Sequence, residues 1–266
     1  MAGKDYEGFV VVVTGGSSGL GRAIAEGAAE RGAQAVVINY AHNEAEAEET
    51  RRRVEANGAQ GITVKGDVAS DDDCRRIVAA AASFGRIDAL FNNAGQTTFA
   101  GHADMDAVNA DNFARIYAVN VIGPFQMIRA ARSLLEAAPQ PGAVVNTASI
   151  AGVTGVGSSV PYAASKGALI TMTLSLARAL APKIRVNVLC PGYIDTPWFG
   201  RGLPAEAVDR LREGAAARTP LQLASKPEDI AGGALFFASP AARHITGETL
   251  LVDAGSHLGA ASLGMR

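Results

Sequence analysis

Cysteine, long apolar runs and net charge are all scarce in this 266-residue chain. The separation of its two cysteines, Cys74 and Cys190, suggests neither a disulfide framework nor a metal site. Its 24 basic and 26 acidic residues leave a formal net charge of −2, so no basic field is available to attract nucleic acid or anionic lipid. The longest strongly apolar run, residues 9–13, is too short to span a bilayer, and the amino-terminal residues lack the apolar core of a secretory signal. We therefore expect a cytoplasmic protein with neither a nucleic-acid nor a membrane partner.

Apolar material for a core is abundant. Hydrophobic residues make up 48% of the chain and charged residues 19%, which is a globular composition. The four histidines show no close spacing, so we predict no metal site. The length suits one large domain, and neither a polar linker nor a repeat divides the chain. We expect a single domain over residues 1–266.

Segments typical of buried strands alternate with helical segments along the whole sequence. The first strand, residues 9–14, is a β-branched run that ends in glycines, and a helix over residues 20–30 follows it. This alternation predicts an α/β fold, a single-domain Rossmann-type doubly wound parallel sheet of about seven strands with helices on both faces. The other predicted segments are strands 35–39, 61–65, 87–91, 143–147, 185–189 and 249–252, and helices 44–56, 71–83, 111–138, 160–181 and 227–238.

The longest stretch without a clear element is residues 193–225, with a possible short helix over residues 204–214. It holds the only tryptophan, Trp198. Loops of this length in a compact domain are usually functional, although a tolerated insertion accounts for the length equally well. We expect a substrate loop here.

A glycine-rich turn joins the first strand to the first helix. Gly15, Gly19 and Gly21 allow a tight turn and a close approach of backbone to a ligand. The backbone N–H groups and the helix dipole then favour a pyrophosphate. Because the Gly-Lys-Ser/Thr of a nucleoside-triphosphate loop is missing, the turn indicates a dinucleotide.

The end of the second strand bears on which dinucleotide binds. An acidic residue about 20 positions beyond the glycine turn commonly binds the adenosine ribose and repels a 2′-phosphate. Here no acid occurs before Glu44, and Ser17, Ser18, Asn39 and Tyr40 are available as hydrogen-bond donors to a 2′-phosphate. The sequence therefore favours NADP over NAD.

A tyrosine and a lysine lie four residues apart on the predicted helix over residues 160–181. A nearby cation favours phenolate, so Lys166 is expected to lower the pKa of Tyr162 and let it exchange a proton with a substrate oxygen. Ser149 follows the strand over residues 143–147 and could bond the same oxygen, since parallel sheets place ligands at this end. The alternative is a solvated lysine beside a packed tyrosine.

Asparagine supplies two further signals. Asn92-Asn93-Ala94-Gly95 ends the fourth strand, and Asn120 lies within the predicted helix over residues 111–138. Asparagine is a poor residue for a helix interior, so Asn120 is a functional residue, a satisfied core amide or a tolerated surface polar group.

In this order the segments resemble the short-chain dehydrogenase/reductase family over residues 9–255. The resemblance implies that Tyr162 is the general acid in reduction and the base in oxidation. It also implies that Lys166 binds the nicotinamide ribose, that Ser149 holds the substrate oxygen and that Asn120 supports a water-linked proton relay to Lys166. The residues that carry the resemblance are Thr14, Gly15, Gly19, Gly21, Asp67, Val68, 92–95, Asn120, Ser149, Tyr162, Lys166, Pro191, Gly192, 245–247 and 252–255.

The resemblance also implies the cofactor contacts and the assembly. Family members are commonly tetramers, so a homotetramer formed through the helices over residues 111–138 and 160–181 is expected. The implied cofactor-binding residues are Gly15, Ser17, Ser18, Gly19, Leu20, Gly21, Asn39, Tyr40, Asp67, Val68, Asn93, Ala94, Gly95, Tyr162, Lys166, Pro191, Gly192, Ile194 and Thr196.

Several activities remain open at this point. The resemblance implies an oxidoreductase that transfers a hydride between a nicotinamide cofactor and a carbonyl or secondary alcohol, with 3-oxoacyl thioester reductases as similar members. The missing acid after the second strand adds the preference for NADP. A sugar or polyol dehydrogenase of the same family is the main rival. A cofactor-binding protein without catalysis is a third reading. A methyltransferase would need an acid after the second strand and would have no use for Tyr162 and Lys166.

Overall fold

Seven parallel strands form one sheet in the computed structural model, which describes residues 4–259 except the side chain of Arg201. The predicted fold class is confirmed, while residues 1–3 and 260–266 of the expected domain lie outside the described part. The order in the sheet is β3-β2-β1-β4-β5-β6-β7. The strands are β1 (Val10–Val13), β2 (Ala35–Tyr40), β3 (Gln60–Lys65), β4 (Ala89–Asn92), β5 (Gly142–Thr147), β6 (Ile184–Pro191) and β7 (Thr249–Val252).

Successive strands are added on one side of β1 as far as β3 and on its other side from β4 onward, so the strand order switches between β1 and β4. Val11 of β1 pairs with Val36 of β2 on one side and with Ala89 of β4 on the other. In open parallel sheets the crevice beyond the carboxyl ends of strands at such a switch point is where ligands bind. This topology places the glycine turn after β1 and the Asn92–Gly95 segment after β4 side by side.

Helices cover both faces of the sheet. Val11 and Val13 point to the face covered by α1 (Gly19–Glu30) and α9 (Pro227–Ala238). Val10 and Val12 point to the opposite face, covered by α3 (Asp71–Ala79), α5 (Gly123–Glu136) and α7 (Val160–Leu180), as the alternation of side chains along a strand requires. No helix within residues 4–259 has both the length and the apolar character needed to cross a membrane. The helices are α1 (Gly19–Glu30), α2 (Glu44–Ala56), α3 (Asp71–Ala79), α4 (Ala110–Tyr117), α5 (Gly123–Glu136), α6 (Ala151–Thr154), α7 (Val160–Leu180), α8 (Ala205–Arg218) and α9 (Pro227–Ala238).

The helix predicted over residues 111–138 is not continuous. A π-helical turn, Ala118–Ile122, separates α4 from α5 and contains Asn120. Such turns widen the helix by one residue and are frequent at functional sites. The predicted helix over residues 71–83 is also too long, because α3 ends at Ala79 and a 3₁₀ turn, Ala82–Phe84, follows.

Two helices near the cleft differ from the sequence-based prediction. The short helix expected over residues 204–214 is α8, which extends to Arg218. The four-residue helix α6 was not expected at all, because its segment is rich in glycine. Gly152 lets α6 pack tightly on α7, since a Cβ at this position would lie 2.6 Å from the carbonyl carbon of Lys166.

Candidate active site

A cleft of about 720 Å³ opens at the carboxyl ends of the strands. This volume lies within the range of sites that bind small molecules and cofactors. Of the predicted residues, Gly21 and Asn120 do not line it. Those that do are Gly15, Ser17, Ser18, Gly19, Leu20, Asn39, Tyr40, Asp67, Val68, Asn93, Ala94, Gly95, Ser149, Tyr162, Lys166, Pro191, Gly192, Ile194 and Thr196.

The turn between β1 and α1 depends on its glycines. Gly15 and Gly19 adopt φ values of +62° and +53°, in the left-handed region that other residues avoid. A Cβ at Gly21 would overlap the Gly15 carbonyl oxygen, so the missing side chain lets the turn close tightly. Gly21 itself does not line the cleft. The Asn93 side chain donates to the Thr14 and Gly15 carbonyl oxygens at 3.2 and 3.3 Å and fixes the turn against β4. The resulting cradle at a helix N-terminus fits a pyrophosphate.

Asn39 is engaged with the protein backbone. Its side-chain oxygen accepts a hydrogen bond from the Gly15 N–H at 3.3 Å, and its nitrogen donates to the carbonyl oxygens of Gly66 at 2.9 Å and Val64 at 3.3 Å. Only 2% of Asn39 is exposed. The expectation that its amide is available to a 2′-phosphate is therefore wrong, because both amide hydrogens are used to tie the glycine turn to β3.

Ser149, Tyr162 and Lys166 converge below the end of β5. Tyr162 and Lys166 lie one turn apart on α7, and the Ser149 side chain lines the cleft beside Tyr162, close enough to lower the pKa of its phenol. The Lys166 ammonium donates to the Thr147 carbonyl oxygen at 2.7 Å and lies 5.6 Å from the centre of the Tyr162 ring. The sequence-based pairing of these groups at the sheet edge is thus present in the structure.

Burial controls the titration of this pair. It raises the pKa of Tyr162 to about 12, while the Ser149 side chain opposes the shift and nearby Cys190 adds to it. Burial lowers the pKa of Lys166 to about 8. The predicted lowering of the Tyr162 pKa by Lys166 is not found, because the cost of burying a phenolate dominates at this site.

Asn120 acts on the site from behind. Its side-chain oxygen accepts from the Gln96 N–H at 2.8 Å, and its nitrogen donates to the Gln96 carbonyl oxygen and to the Ser165 hydroxyl, both at 3.0 Å. Ser165 donates in turn to the Tyr162 carbonyl oxygen at 2.7 Å. Of the three interpretations of Asn120 that the sequence left open, its contacts match a satisfied core amide. Through these contacts Asn120 connects the segment after β4 to α7.

Several cleft residues were not predicted. Gln96, Trp198 and Phe199 line the end nearest Tyr162, and the Trp198 and Tyr162 rings lie 6.4 Å apart. The sequence signal for Trp198 is its position two residues after Thr196 in the expected substrate loop. Asp67 is the one carboxylate among the described residues that line the cleft.

Comparison with known proteins agrees with this architecture. The family model described as "Enoyl-(Acyl carrier protein) reductase" matches residues 15–257. A protein of Streptomyces violaceoruber, named as ketoacyl reductase 2 of the granaticin polyketide synthase, is 38% identical over 97% of this chain and all of its own length. The L-rhamnose 1-dehydrogenase (NAD(P)(+)) of a Sphingomonas species is also 38% identical, over 96% of this chain and 98% of its own.

A solved structure shares the fold. The aldohexose dehydrogenase of Thermoplasma acidophilum superposes with a TM-score of 0.84 at 27% identity and covers 99% of both chains. The chain therefore belongs to the short-chain dehydrogenase/reductase family and is an oxidoreductase that uses a nicotinamide cofactor. The methyltransferase alternative is wrong.

Proposed function

We propose that this protein transfers a hydride between NADP and a ketone or secondary alcohol. The observation that carries the proposal is the convergence of Ser149, Tyr162 and Lys166 at the end of β5, inside a cleft whose glycine turn fits a dinucleotide. Both the glycine turn and these three side chains line one continuous cavity. A carbonyl that reaches Tyr162 therefore lies beside the end of a cofactor held by the turn.

The side chains divide the proton chemistry between them. With its pKa raised to about 12, Tyr162 is protonated at neutral pH and is ready to donate to the substrate oxygen during reduction. Ser149 holds the same oxygen through its hydroxyl. Lys166, anchored on the Thr147 carbonyl oxygen, stabilises the phenolate that remains once the proton has left. In oxidation the same groups act in reverse.

The cofactor supplies the hydride when it is bound, and the chain orients it. The residues after β1 would hold the pyrophosphate, and Asp67 and Val68 the adenine. A Cβ at Gly19 would lie 3.2 Å from the Thr196 Cγ2, so the segment after β6 closes against the turn and places Thr196 near the nicotinamide end. Asn120 is proposed as a positioning residue, and its support of a water-linked relay stays a prediction.

Tyr162→Phe tests this function. We expect the rate of carbonyl reduction to fall by about 10²–10⁴-fold because the variant cannot donate a proton. Fluorescence titration should show that NADPH binding is retained, since the phenyl ring keeps the shape of the cleft. Tyr117→Phe on α4 is the matched control and should keep full activity. Undiminished turnover by Tyr162→Phe, or failure of the parent protein to bind either NADPH or NADH, would contradict the proposal.

The preference for NADP rests on charge at the adenosine end of the cleft. Ser17, Ser18 and Tyr40 line this end, and no carboxylate from the end of β2 faces it in the described structure. The described structure therefore lacks the carboxylate after β2 that commonly repels a 2′-phosphate. Titration with each cofactor should therefore show NADPH binding at least about tenfold tighter than NADH, a difference of about 1.4 kcal/mol.

Ala41→Asp should reverse that preference. Ala41 lines the cleft directly after β2, so a carboxylate there would face the 2′ position and repel a phosphate. Ala45→Asp on α2 is the matched control, because Ala45 is exposed and lies outside the cleft. Tighter NADH binding by the parent protein, or equal effects of the two variants, would count against the NADP assignment.

Sugar or polyol oxidation is a second candidate, since two similar proteins are named for L-rhamnose and aldohexose oxidation. A 3-oxoacyl thioester is supported by the similar Streptomyces protein, which is named as a ketoacyl reductase. Comparing the rates with L-rhamnose, D-glucose and a 3-oxoacyl thioester distinguishes these candidates.

We propose a homotetramer as the functional assembly. Large apolar side chains on α4, α5, α7 and the intervening π-helical turn are exposed to solvent in the single chain. Covering exposed apolar side chains is a common reason for association. The side chains are Phe113, Ile122, Phe125, Val160 and Leu174.

A further inference from the structure

Aromatic rings from three separate segments lie at the substrate end of the cleft. Tyr162, Trp198 and Phe199 line the cleft itself, and Phe99 and Tyr193 pack against Phe199. Trp198 lies 6.4 Å from the Tyr162 ring, centre to centre, at an angle of 51°. Phe199 stacks on Tyr193 at 5.2 Å and 17°, and Phe99 lies 6.3 Å from Phe199. We call these five side chains the aromatic wall. Its rings come from the segments after β4 and β6 and from α7.

Contacts outside the wall hold two of its segments in place. The segment that carries Phe99 is tied to the one before α7, because the Ala100 N–H donates to the Ser158 carbonyl oxygen at 2.9 Å. Gly202 leaves room for Phe99, since a Cβ there would overlap its ring. The Tyr193 hydroxyl donates to Asp195, which is paired at 2.9 Å with Arg212 of α8. The wall is thus connected to the body of the protein on two sides.

The substrate end offers no counter-ion apart from Lys166 in the described structure. Apart from Tyr162 and Lys166, the titratable side chains that line the cleft are Tyr40, His42 and Asp67, and these belong to the adenosine end. Because the Lys166 ammonium is held by the Thr147 carbonyl oxygen, a carboxylate or phosphate on the substrate would lose its hydration without gaining a further ion partner among the described cleft residues, which is costly. A flat uncharged group, by contrast, gains offset or edge-to-face contacts with aromatic rings.

Building on the proposed function, we propose that the substrate is an uncharged ketone, or the matching secondary alcohol, with an aromatic ring next to the reacting carbon. Trp198 is then the specificity-determining residue, because its ring lines the cleft 6.4 Å from the Tyr162 ring, within reach of a substituent next to the reacting carbon. In reduction the carbonyl carbon gains the hydride of the reduced nicotinamide and the oxygen gains the Tyr162 proton. The ketone becomes an alcohol and the cofactor is oxidised.

Two ketones with the same number of carbon atoms, acetophenone and 2-octanone, provide the kinetic test. The full chain with NADPH should show a kcat/KM for acetophenone about tenfold above that for 2-octanone. Trp198→Ala should reduce this ratio roughly three- to tenfold, the range expected for loss of one aromatic contact. Trp198→Phe should restore most of it. The matched control is Phe236→Ala, an exposed ring on α9 outside the cleft, which should leave the ratio unchanged.

Fluorescence supplies a second readout, because Trp198 is the only tryptophan of the chain. With NADPH present, 1-phenylethanol cannot be oxidised, so its binding should shift the Trp198 emission to shorter wavelength without turnover. A higher kcat/KM for 2-octanone, ethyl acetoacetate or L-rhamnose than for acetophenone or 1-phenylethanol would overturn the inference and leave the proposed function intact. An emission shift without turnover of any carbonyl would overturn the proposed function and support the aromatic contact.

Discussion

Lys166 shows how the catalytic geometry costs stability. Its side chain is nearly completely buried, and burial lowers its pKa from 10.5 to about 8. Between these two values the unfolded chain binds more protons than the folded protein. The free energy of unfolding must therefore rise with pH across this window, and the penalty of the buried charge is present in full below it.

Lys166→Met tests this sign. The stability of the parent protein relative to Lys166→Met should increase between pH 8 and pH 10.5, by up to about 3 kcal/mol. Taking the difference removes most of the contribution of Tyr162, which is present in both proteins. Urea unfolding at several pH values provides the measurement. Lys183→Met, which removes an exposed lysine before β6, is the control and should show no such slope. A slope of the opposite sign for Lys166 would contradict the buried charge.

For single residues, the spacing along the sequence predicted some side-chain environments and missed others. Tyr162 and Lys166 could be paired from the sequence because a helix places residues four apart on one face. The environment of Asn39 could not be predicted in this way. Its partner Gly66 becomes adjacent only through the register of β2 on β3, in which Asn39 pairs with Val64. The raised pKa of Tyr162 likewise depends on burial by distant segments.

At the scale of elements, the alternation of strands and helices was sufficient to predict the sheet, because buried parallel strands are continuous apolar runs. The break between α4 and α5 was not predictable, since a π-helical turn changes the hydrophobic period by a single residue. Asn120 was identified as unusual for a helix, and its place in that turn accounts for it. The helix α6 was missed because Gly152 serves its packing on α7 and contributes little helix propensity.

Gly152 and Gly232 provide a matched test of that packing. Gly152→Ala should lower the free energy of unfolding by about 1–3 kcal/mol, because a Cβ would collide with the α7 backbone at Lys166. Gly232→Ala in α9, where a Cβ meets open space, should raise it by roughly 0.5–1 kcal/mol. Urea unfolding measures both. Gly152→Ala should also lower kcat, since α6 would be displaced from the helix that carries Tyr162. A stabilised Gly152→Ala variant would show that the close contact is not needed.

At the scale of the whole molecule, the apolar side chains on α4, α5 and α7 predict the assembly. Sedimentation should give the mass of a tetramer for the parent protein. Phe125→Glu should reduce that mass, because burying an unpaired carboxylate in an apolar interface is costly. Ala45→Glu on the exposed face of α2 is the control and should leave the tetramer unchanged. A parent protein that sediments as a monomer would exclude the proposed assembly.

The strand order also determines when the site can work during synthesis of the chain. The glycine turn, β2 and β3 are complete once residue 65 has been made, and β1 lies inside the sheet, with a free side for strands still to come. The sheet therefore grows outward from its oldest strand. Thr196 and Trp198 follow β6, among the last parts of the site to leave the ribosome. A nascent chain that ends before β6 therefore has the residues of the phosphate cradle but lacks Thr196 and Trp198, so unfinished copies have no complete site in which to consume cofactor.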